Sequence, residues 1–211
     1  MSATFNATSV ALEASASAQL GRRERNKLDK LERIKAAARE LFAKKGISEV
    51  STAAVAELAD VASGTLFLYA KTKGELLLLA QNAAYVSAHE TGLAAAKAET
   101  DRLKAIVALL APIVHCNREH TENGRAYLRE VVFGTSLDEH RDEALRLMAG
   151  TQAAVQEILE RDEKMGEEKC HQLALITTSI MFLNLSSPAN VGLSAEEILT
   201  AIETQIAVVF S

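Results

Sequence analysis

Apolar side chains recur at intervals of three and four residues from residue 31 almost to the end of the chain. The first such set is Leu31, Ile34, Ala38, Leu41 and Phe42. This spacing places the side chains on one face of an α-helix. No segment shows the apolar–polar alternation of a β-strand, and only two of the 211 residues are proline. We therefore expect an all-α fold.

Charge is divided unevenly along the chain. Residues 22–73 carry twelve Lys and Arg against seven Asp and Glu, which gives a net charge of +5. Residues 74–211 carry eleven against twenty, a net charge of −9. A basic N-terminal quarter on an acidic body indicates that the quarter contacts nucleic-acid phosphate and that the body does not.

Three short helices are predicted between residues 31 and 70. Lys44-Lys45-Gly46 has the cations and glycine typical of a helix end, and Ser51 is suited to cap a second helix. A tight turn over 60–64 precedes a third helix over 65–70. Thr72 and Glu75 form a capping box that opens a fourth helix, running to about residue 98. This is the layout of a helix-turn-helix, a DNA-binding motif.

The N-terminal end of the third helix faces base edges in such motifs. Five residues occupy this position, and three further positions suit phosphate. The base-facing residues are Ser63, Gly64, Thr65, Phe67 and Leu68, and the phosphate-facing ones are Ser51, Tyr69 and Lys73. A basic run precedes them, with Arg22, Arg23, Arg25 and Lys27. These cations are either an arm that reaches DNA or the solvated start of the first helix.

The same segment resembles the tetracycline-repressor (TetR) family over residues 31–79. The resemblance is carried by Ala36 to Phe42, Gly46, Ser51, Val55-Ala56, Ala59, Val61, Gly64 to Tyr69, Lys73 and Leu76-Leu77. It implies a homodimer that binds a palindromic operator, usually represses, and is released when a small molecule moves the fourth helix. By matching position, Ser51, Thr65, Tyr69 and Lys73 contact DNA. Asp60, Ala62 and Ala70 depart from the family's usual turn glycine, Ser/Thr cap and aromatic residue.

The expected organisation is a flexible N-terminal tail over 1–21, a three-helix DNA-binding domain over 22–73, and a helical ligand-sensing and dimerisation domain over 74–211. We name the second segment the head and the third the body. By analogy with the family, the pocket for an unknown small-molecule effector lies in the body. Its candidate residues are Tyr85, His89, His115, Cys116, Tyr127, Arg129 and Phe133.

The last two helices have apolar faces that are wide for a monomer. They favour a four-helix interface between two copies of the chain. The candidate interface residues are Ile176, Ile180, Leu183, Ile198, Ile202 and Ile206. The alternative is that these helices pack only within one chain.

The remaining observations argue against other functions. His115 and His120 are five residues apart and face different directions on a helix, so we expect no metal site and no cofactor. No nucleophile, base and acid stand at a recognisable spacing, so we expect no enzyme. The acidic body disfavours a protein that coats DNA without sequence preference. Two cysteines, no secretory signal and no long apolar stretch favour the cytoplasm.

Overall fold

The computed structural model describes residues 21–135 and 138–210, and its regular structure there is entirely helical. Residues 1–20 of the predicted tail over 1–21 lie outside the described residues. Nine α-helices and a 3-10 turn at Pro188–Asn190 make up the described part. The helices are α1 Arg22–Glu49, α2 Thr52–Leu58, α3 Ser63–Leu66, α4 Lys73–Ala98, α5 Arg102–Arg118, α6 Thr121–Phe133, α7 Glu139–Leu159, α8 Glu167–Ser186 and α9 Ala195–Phe210.

Helix α4 lies at the centre of the molecule, where it contacts α1, α5, α6 and α7. Five consecutive residues near its start, from Leu76 to Ala80, are buried because neighbouring helices surround that turn. Helix α9 packs on α5 and α8 at the opposite side of the body. In the described ranges, no helix combines the length and apolar character that crossing a bilayer requires.

The helix starts follow the capping signals of the sequence. Ser51 Oγ accepts the N–H of Ala54 at 3.1 Å, and Thr72 Oγ1 accepts the N–H of Glu75 at 3.0 Å. In a capping box the Glu75 carboxylate would accept the N–H of Thr72. It accepts the N–H of Lys71 at 2.7 Å instead. These bonds satisfy amide donors that a helix start leaves without an intrahelical partner.

Several predicted boundaries in the body were wrong. The sequence predicts that Pro112 kinks or breaks the helix around it, because proline has no backbone N–H, but α5 continues through this residue without a break. Helix α6 begins at Thr121, six residues before the predicted start, and α7 ends at Leu159 rather than near residue 164. The expected capping role of Ser136 lies outside the described residues. Asp138 caps α7 instead, accepting two backbone N–H groups at 3.0 Å.

The basic run lies in the first turns of helix α1. This helix begins at Arg22, so Arg22, Arg23, Arg25 and Lys27 lie exposed on its first turns, and a contact of these cations with DNA stays a prediction. Near its other end, Gly46 has φ +76° and ψ 162°, which interrupts the helical backbone at the predicted glycine. Positive φ suits glycine because it has no Cβ.

Two groups of predicted apolar contacts also need correction. Leu58, expected in the core, is 47% exposed. Ile198, Ile202 and Ile206 are buried within the protomer, on the face that α9 turns to α5 and α8, so they cannot form a contact surface for a second chain. Ile176 and Leu183 remain exposed, and Ile180 is half-buried.

The close packing of α4 against α5 can be tested at Gly92. A Cβ on Gly92 would overlap the Leu109 carbonyl oxygen and lie 2.9 Å from its carbon. We predict that Gly92→Ala lowers the free energy of unfolding by about 1–3 kcal/mol, the usual effect of overpacking. Gly150→Ala is the matched control, because its Cβ would meet only His89 at 3.7 Å.

The control should raise stability by about 0.5–1 kcal/mol, since alanine favours a helix. Denaturant unfolding at one fixed protein concentration measures both variants. A Gly92→Ala protein as stable as the control variant would mean that the two helices are not in such close contact.

Candidate DNA-reading segment and effector cavity

The turn between α2 and α3 is held by an aspartate in an unusual conformation. Asp60 has φ +51°, the left-handed region that favours glycine. Asp and Asn tolerate this region better than most residues because their short side chains bond locally. Arg33 Nη1 donates to both the carboxylate and the backbone carbonyl of Asp60, each at 3.1 Å. The turn that precedes the third helix therefore forms without the family's glycine.

Helix α3 is shorter and starts earlier than predicted. It covers Ser63–Leu66 rather than residues 65–70, and turn hydrogen bonds continue it to Ala70. Ala62 is the N-cap and makes no side-chain cap bond, and Ser63 does not take over that role. Leu66 is completely buried and anchors the segment to the head.

Residues 63–69, which we name the reading segment, present most of their side chains to solvent. Ser63 and Gly64 are exposed, and a Cβ on Gly64 would meet nothing within 4 Å. Phe67 is 45% exposed and Leu68 84% exposed, although both are large apolar residues. Their exposure is not required by the packing of the head, so this surface is available to a partner.

The predicted phosphate contacts are Tyr69, at the end of the reading segment, and Lys73 and Ser51 at the starts of α4 and α2. The Tyr69 hydroxyl donates to the Lys27 carbonyl at 3.1 Å, and Lys73 Nζ donates to the Ser48 carbonyl at 3.2 Å. Ser51 is exposed at the start of α2. These bonds connect α1, the reading segment and α4.

One connection between head and body joins the start of α6 to the end of α1. Asn123 is buried, and its Nδ2 donates to the Phe42 carbonyl at 2.8 Å. Its Oδ1 accepts the Ile47 N–H at 2.8 Å. Glu122 accepts the Ser48 N–H at 3.1 Å. The side chains of α6 thus satisfy backbone groups on both sides of the interruption of α1 at Gly46.

A second connection joins the reading segment to α7 and α4. His140 Nε2 lies 2.9 Å from the Tyr69 carbonyl, and because a carbonyl only accepts, this nitrogen carries the proton. The His140 carbonyl accepts from Asn82 Nδ2 at 2.9 Å, and the same nitrogen lies 2.7 Å from the Glu143 carboxylate. Asn82 Oδ1 accepts from the Tyr127 hydroxyl at 2.9 Å.

Tyr127 lines an apolar cavity in the body with a free volume of about 50 Å³. Its ring stacks on that of Tyr85 with 4.1 Å between centroids, and Asn117 Nδ2 donates to the Tyr85 hydroxyl at 2.9 Å. Burial raises the pKa of both phenols above the ordinary value, so both stay protonated. The other lining residues are Ile113, Leu128, Ala144, Leu147, Met148, Thr151, Thr178, Met181, Phe182 and Leu185.

Only Tyr85 and Tyr127 of the predicted pocket residues line this cavity. Arg129 and Phe133 line a neighbouring cleft, and Cys116 lines another beside α1. His115 is exposed, 4.0 Å from Glu196, and His89 is half-buried near Gly150. Sequence reasoning missed the contribution of α8, because its apolar residues were assigned to a dimer interface.

Redox sensing by Cys116 and metal binding by Cys116 with nearby histidines are two alternative functions of this region, and the structure supports neither. Burial, and then the charge of Glu119, raise the pKa of the Cys116 thiol to about 11, which opposes the thiolate that redox sensing needs. Over the residues that the structure describes, no three His, Cys, Asp or Glu side chains are grouped as metal ligands.

Comparison with known proteins supplies a family for the head. Residues 34–80 match the family model described as bacterial regulatory proteins of the tetR family. Among curated proteins, no sequence matches the chain.

Solved structures resemble almost the whole fold. A TetR-family transcriptional repressor from Thermus thermophilus, FadR, in complex with lauroyl-CoA, is 18% identical, with 84% of this chain and 93% of that chain covered and a TM-score of 0.63. A TetR transcriptional regulator from Rhodococcus sp. RHA1 is 17% identical, with 87% and 96% covered and a TM-score of 0.64. The fatty acid degradation regulator FadR from Bacillus halodurans is 16% identical, with 84% and 94% covered and a TM-score of 0.56.

The buried amide of Asn82 can be tested by its effect on stability. We predict that Asn82→Ala lowers the free energy of unfolding by about 2–4 kcal/mol, because Tyr127 and the His140 carbonyl lose a buried hydrogen-bond partner. Glu90→Ala, on an exposed position of the same helix, is the control and should change stability by less than about 0.5 kcal/mol. If denaturant unfolding shows the same change in stability for Asn82→Ala and Glu90→Ala, the hydrogen-bond network around Asn82 is contradicted.

Proposed function

The chain has the fold of a TetR-family transcriptional regulator and carries that family's DNA-binding domain at residues 34–80, and on this basis we propose that it is a ligand-responsive repressor. It binds a palindromic operator as a homodimer and leaves the operator when a small molecule occupies the body. The head over 22–73 reads DNA, and the body over 74–211 senses the ligand and dimerises. The exposed reading segment is the observation that carries the proposal.

The reading segment supplies the chemistry that base recognition needs. Ser63 and Thr65 offer hydroxyl groups that hydrogen-bond to bases or phosphates, and Gly64 lets the backbone approach closely. Phe67 and Leu68 are apolar surfaces suited to a thymine methyl group. We assign Lys73 and the exposed Ser51 at the N-terminus of α2 to phosphate contact.

The exposed side of α8 supports the dimer. Leu175, Ile176 and Leu183 are 44%, 41% and 66% exposed on this helix, and Val208 and Val209 are exposed near the end of α9. A second copy of the chain would cover these apolar groups by two-fold symmetry. A palindromic operator requires the same symmetry of the protein that binds it.

The hydrogen-bonded path from Tyr127 through Asn82 and His140 to Tyr69 supports the link between ligand and DNA. A molecule that enters the cavity contacts the Tyr127 ring directly. Displacing this ring alters its bond to Asn82, which lies between α4 and α7. The His140 ring transmits the movement of α7 to the reading segment. The ligand therefore changes the position of the heads without contacting them.

Operator recognition is tested with DNA from around the protein's own gene and random DNA of equal length, at two salt concentrations. We expect cooperative, sequence-dependent binding with a two-fold footprint. If DNA around the gene binds no better than random DNA, selection from a random-sequence pool locates the operator. A pool that yields no enriched sequence would overturn the proposed function.

Two variants of the head should distinguish a base contact from a phosphate contact. We predict that Thr65→Ala relaxes base preference, with a loss of about 1–3 kcal/mol for the operator and little for random DNA. Lys73→Gln should weaken both complexes similarly and reduce the salt slope by about one unit. Fluorescence anisotropy over a salt series measures both effects. An unchanged preference in Thr65→Ala would mean that another residue reads the base.

Loss of the connection through His140 should affect operator binding differently from loss of a phosphate contact. We predict that His140→Phe weakens operator binding about five- to tenfold with an unchanged salt slope, because it loosens the reading segment without removing a phosphate contact. Amide hydrogen exchange over residues 66–73 should increase. His171→Phe, on an exposed position of α8, is the matched control and should behave as the unchanged protein. Wild-type affinity and exchange in His140→Phe would exclude this path.

A further inference from the structure

A polar cleft adjoins the apolar cavity between α6 and α8. Arg125, Arg129, Phe133, Phe182 and Ser186 line it, and its free volume is about 210 Å³. Phe182 belongs to the lining of both the cleft and the cavity. Its ring lies 6.4 Å from that of Phe133, tilted by 59°. Phe182 therefore borders both an apolar space and a space lined by two arginines.

The arginines near the cleft form a positive cluster that is not ion-paired within the described part of the chain. Over the described residues, no Asp or Glu oxygen lies within 4.0 Å of a guanidinium nitrogen of Arg118, Arg125 or Arg129. Arg125 Nε donates to the Ser186 carbonyl at 3.2 Å. Arg129 is exposed on α6, one turn further along, and faces the same cleft.

The Arg118 guanidinium has nitrogens that the described part of the protein leaves without an acceptor. Its Nη2 donates to three backbone carbonyls near the start of α9, those of Asn190, Val191 and Leu193. Its Nε and Nη1 are buried and have no hydrogen-bond partner among the described residues. Burial, and then the charge of Arg125, lower the pKa of the Arg118 guanidinium. An anion beside Arg125 would offset this repulsion.

We propose that the effector is a single-chain amphiphile with an anionic head group, its tail in the apolar cavity and its head on Arg125 and Arg129. This inference rests on the proposed function, since it names the ligand class of the same body. The geometry requires such a molecule to pass Phe182 to reach both spaces. The cavity must also widen from about 50 Å³, and Met148 and Met181 in its lining repack readily.

A carboxylate and a phosphate-bearing head share this chemistry, because guanidinium groups bind both bidentately. The probes are dodecanoate, lauroyl-CoA and the uncharged dodecan-1-ol, titrated calorimetrically below the concentrations at which they form micelles. We expect an anionic probe to bind at least tenfold more tightly than the alcohol. Preference for dodecanoate over lauroyl-CoA would assign the carboxylate, and the reverse preference would assign the phosphates. Coenzyme A without its acyl chain should bind much more weakly than lauroyl-CoA.

Arg129→Gln tests the head-group contact, because the exposed Arg129 side chain makes no hydrogen bond or ion pair with the residues that the structure describes, so its loss should not affect folding. We expect its Kd for the anionic probe to rise about tenfold while its Kd for the alcohol stays unchanged. Lys97→Gln removes the same charge from an exposed position at the end of α4 and should change neither value.

Three outcomes would overturn the proposal. The alcohol could bind as tightly as both anions, Arg129→Gln could weaken binding of the anion and of the alcohol equally, or no probe could bind. Operator binding by the ligand-free variants is measured in parallel. Normal operator binding without amphiphile binding would reject the ligand class alone, whereas absence of operator binding would reject the proposed function.

Discussion

The amide of Asn82 is the interaction on which the arrangement of the helices most depends. It is buried on the central helix, accepts from Tyr127 on α6, and donates to the His140 carbonyl and the Glu143 carboxylate on α7. A buried amide stabilises a fold only when its donors and acceptors are satisfied. The rotation of α4 and the register of α6 and α7 against it are therefore fixed together.

Two distant parts of the molecule share this constraint. Tyr127 places one end of the network in the cavity, and His140 places the other against the Tyr69 carbonyl of the reading segment. The connection of Asn123 to Phe42 and Ile47 supports the head from a second side. Because well-packed interfaces have discrete arrangements rather than a continuous range, a small displacement at α6 favours a different position of the head and not a gradual distortion.

The local signals of the sequence predicted much of the head and the caps of the body, but not the partners of each helical face. Ser51, Thr72 and Ser194 cap helices as their neighbours imply, because capping depends on residues three or four positions away. Ile198, Ile202 and Ile206 share one face of α9, as periodicity indicates, but that face packs inside the protomer. Periodicity identifies which residues are buried together, and not which helix buries them. Thr178 and Met181 line the cavity because of the way α8 packs on other helices, which periodicity does not predict either.

The small size of the cavity has a consequence for regulation. A ligand shifts a conformational equilibrium only by its difference in affinity between the two states. With about 50 Å³ of free volume, the described state accepts a chain-like molecule only after Phe182 and its neighbours move. Such a ligand binds the widened state far better than the closed one. The described state is also the one in which His140 contacts the Tyr69 carbonyl. Under the proposed function, this difference in affinity would therefore release the protein from DNA.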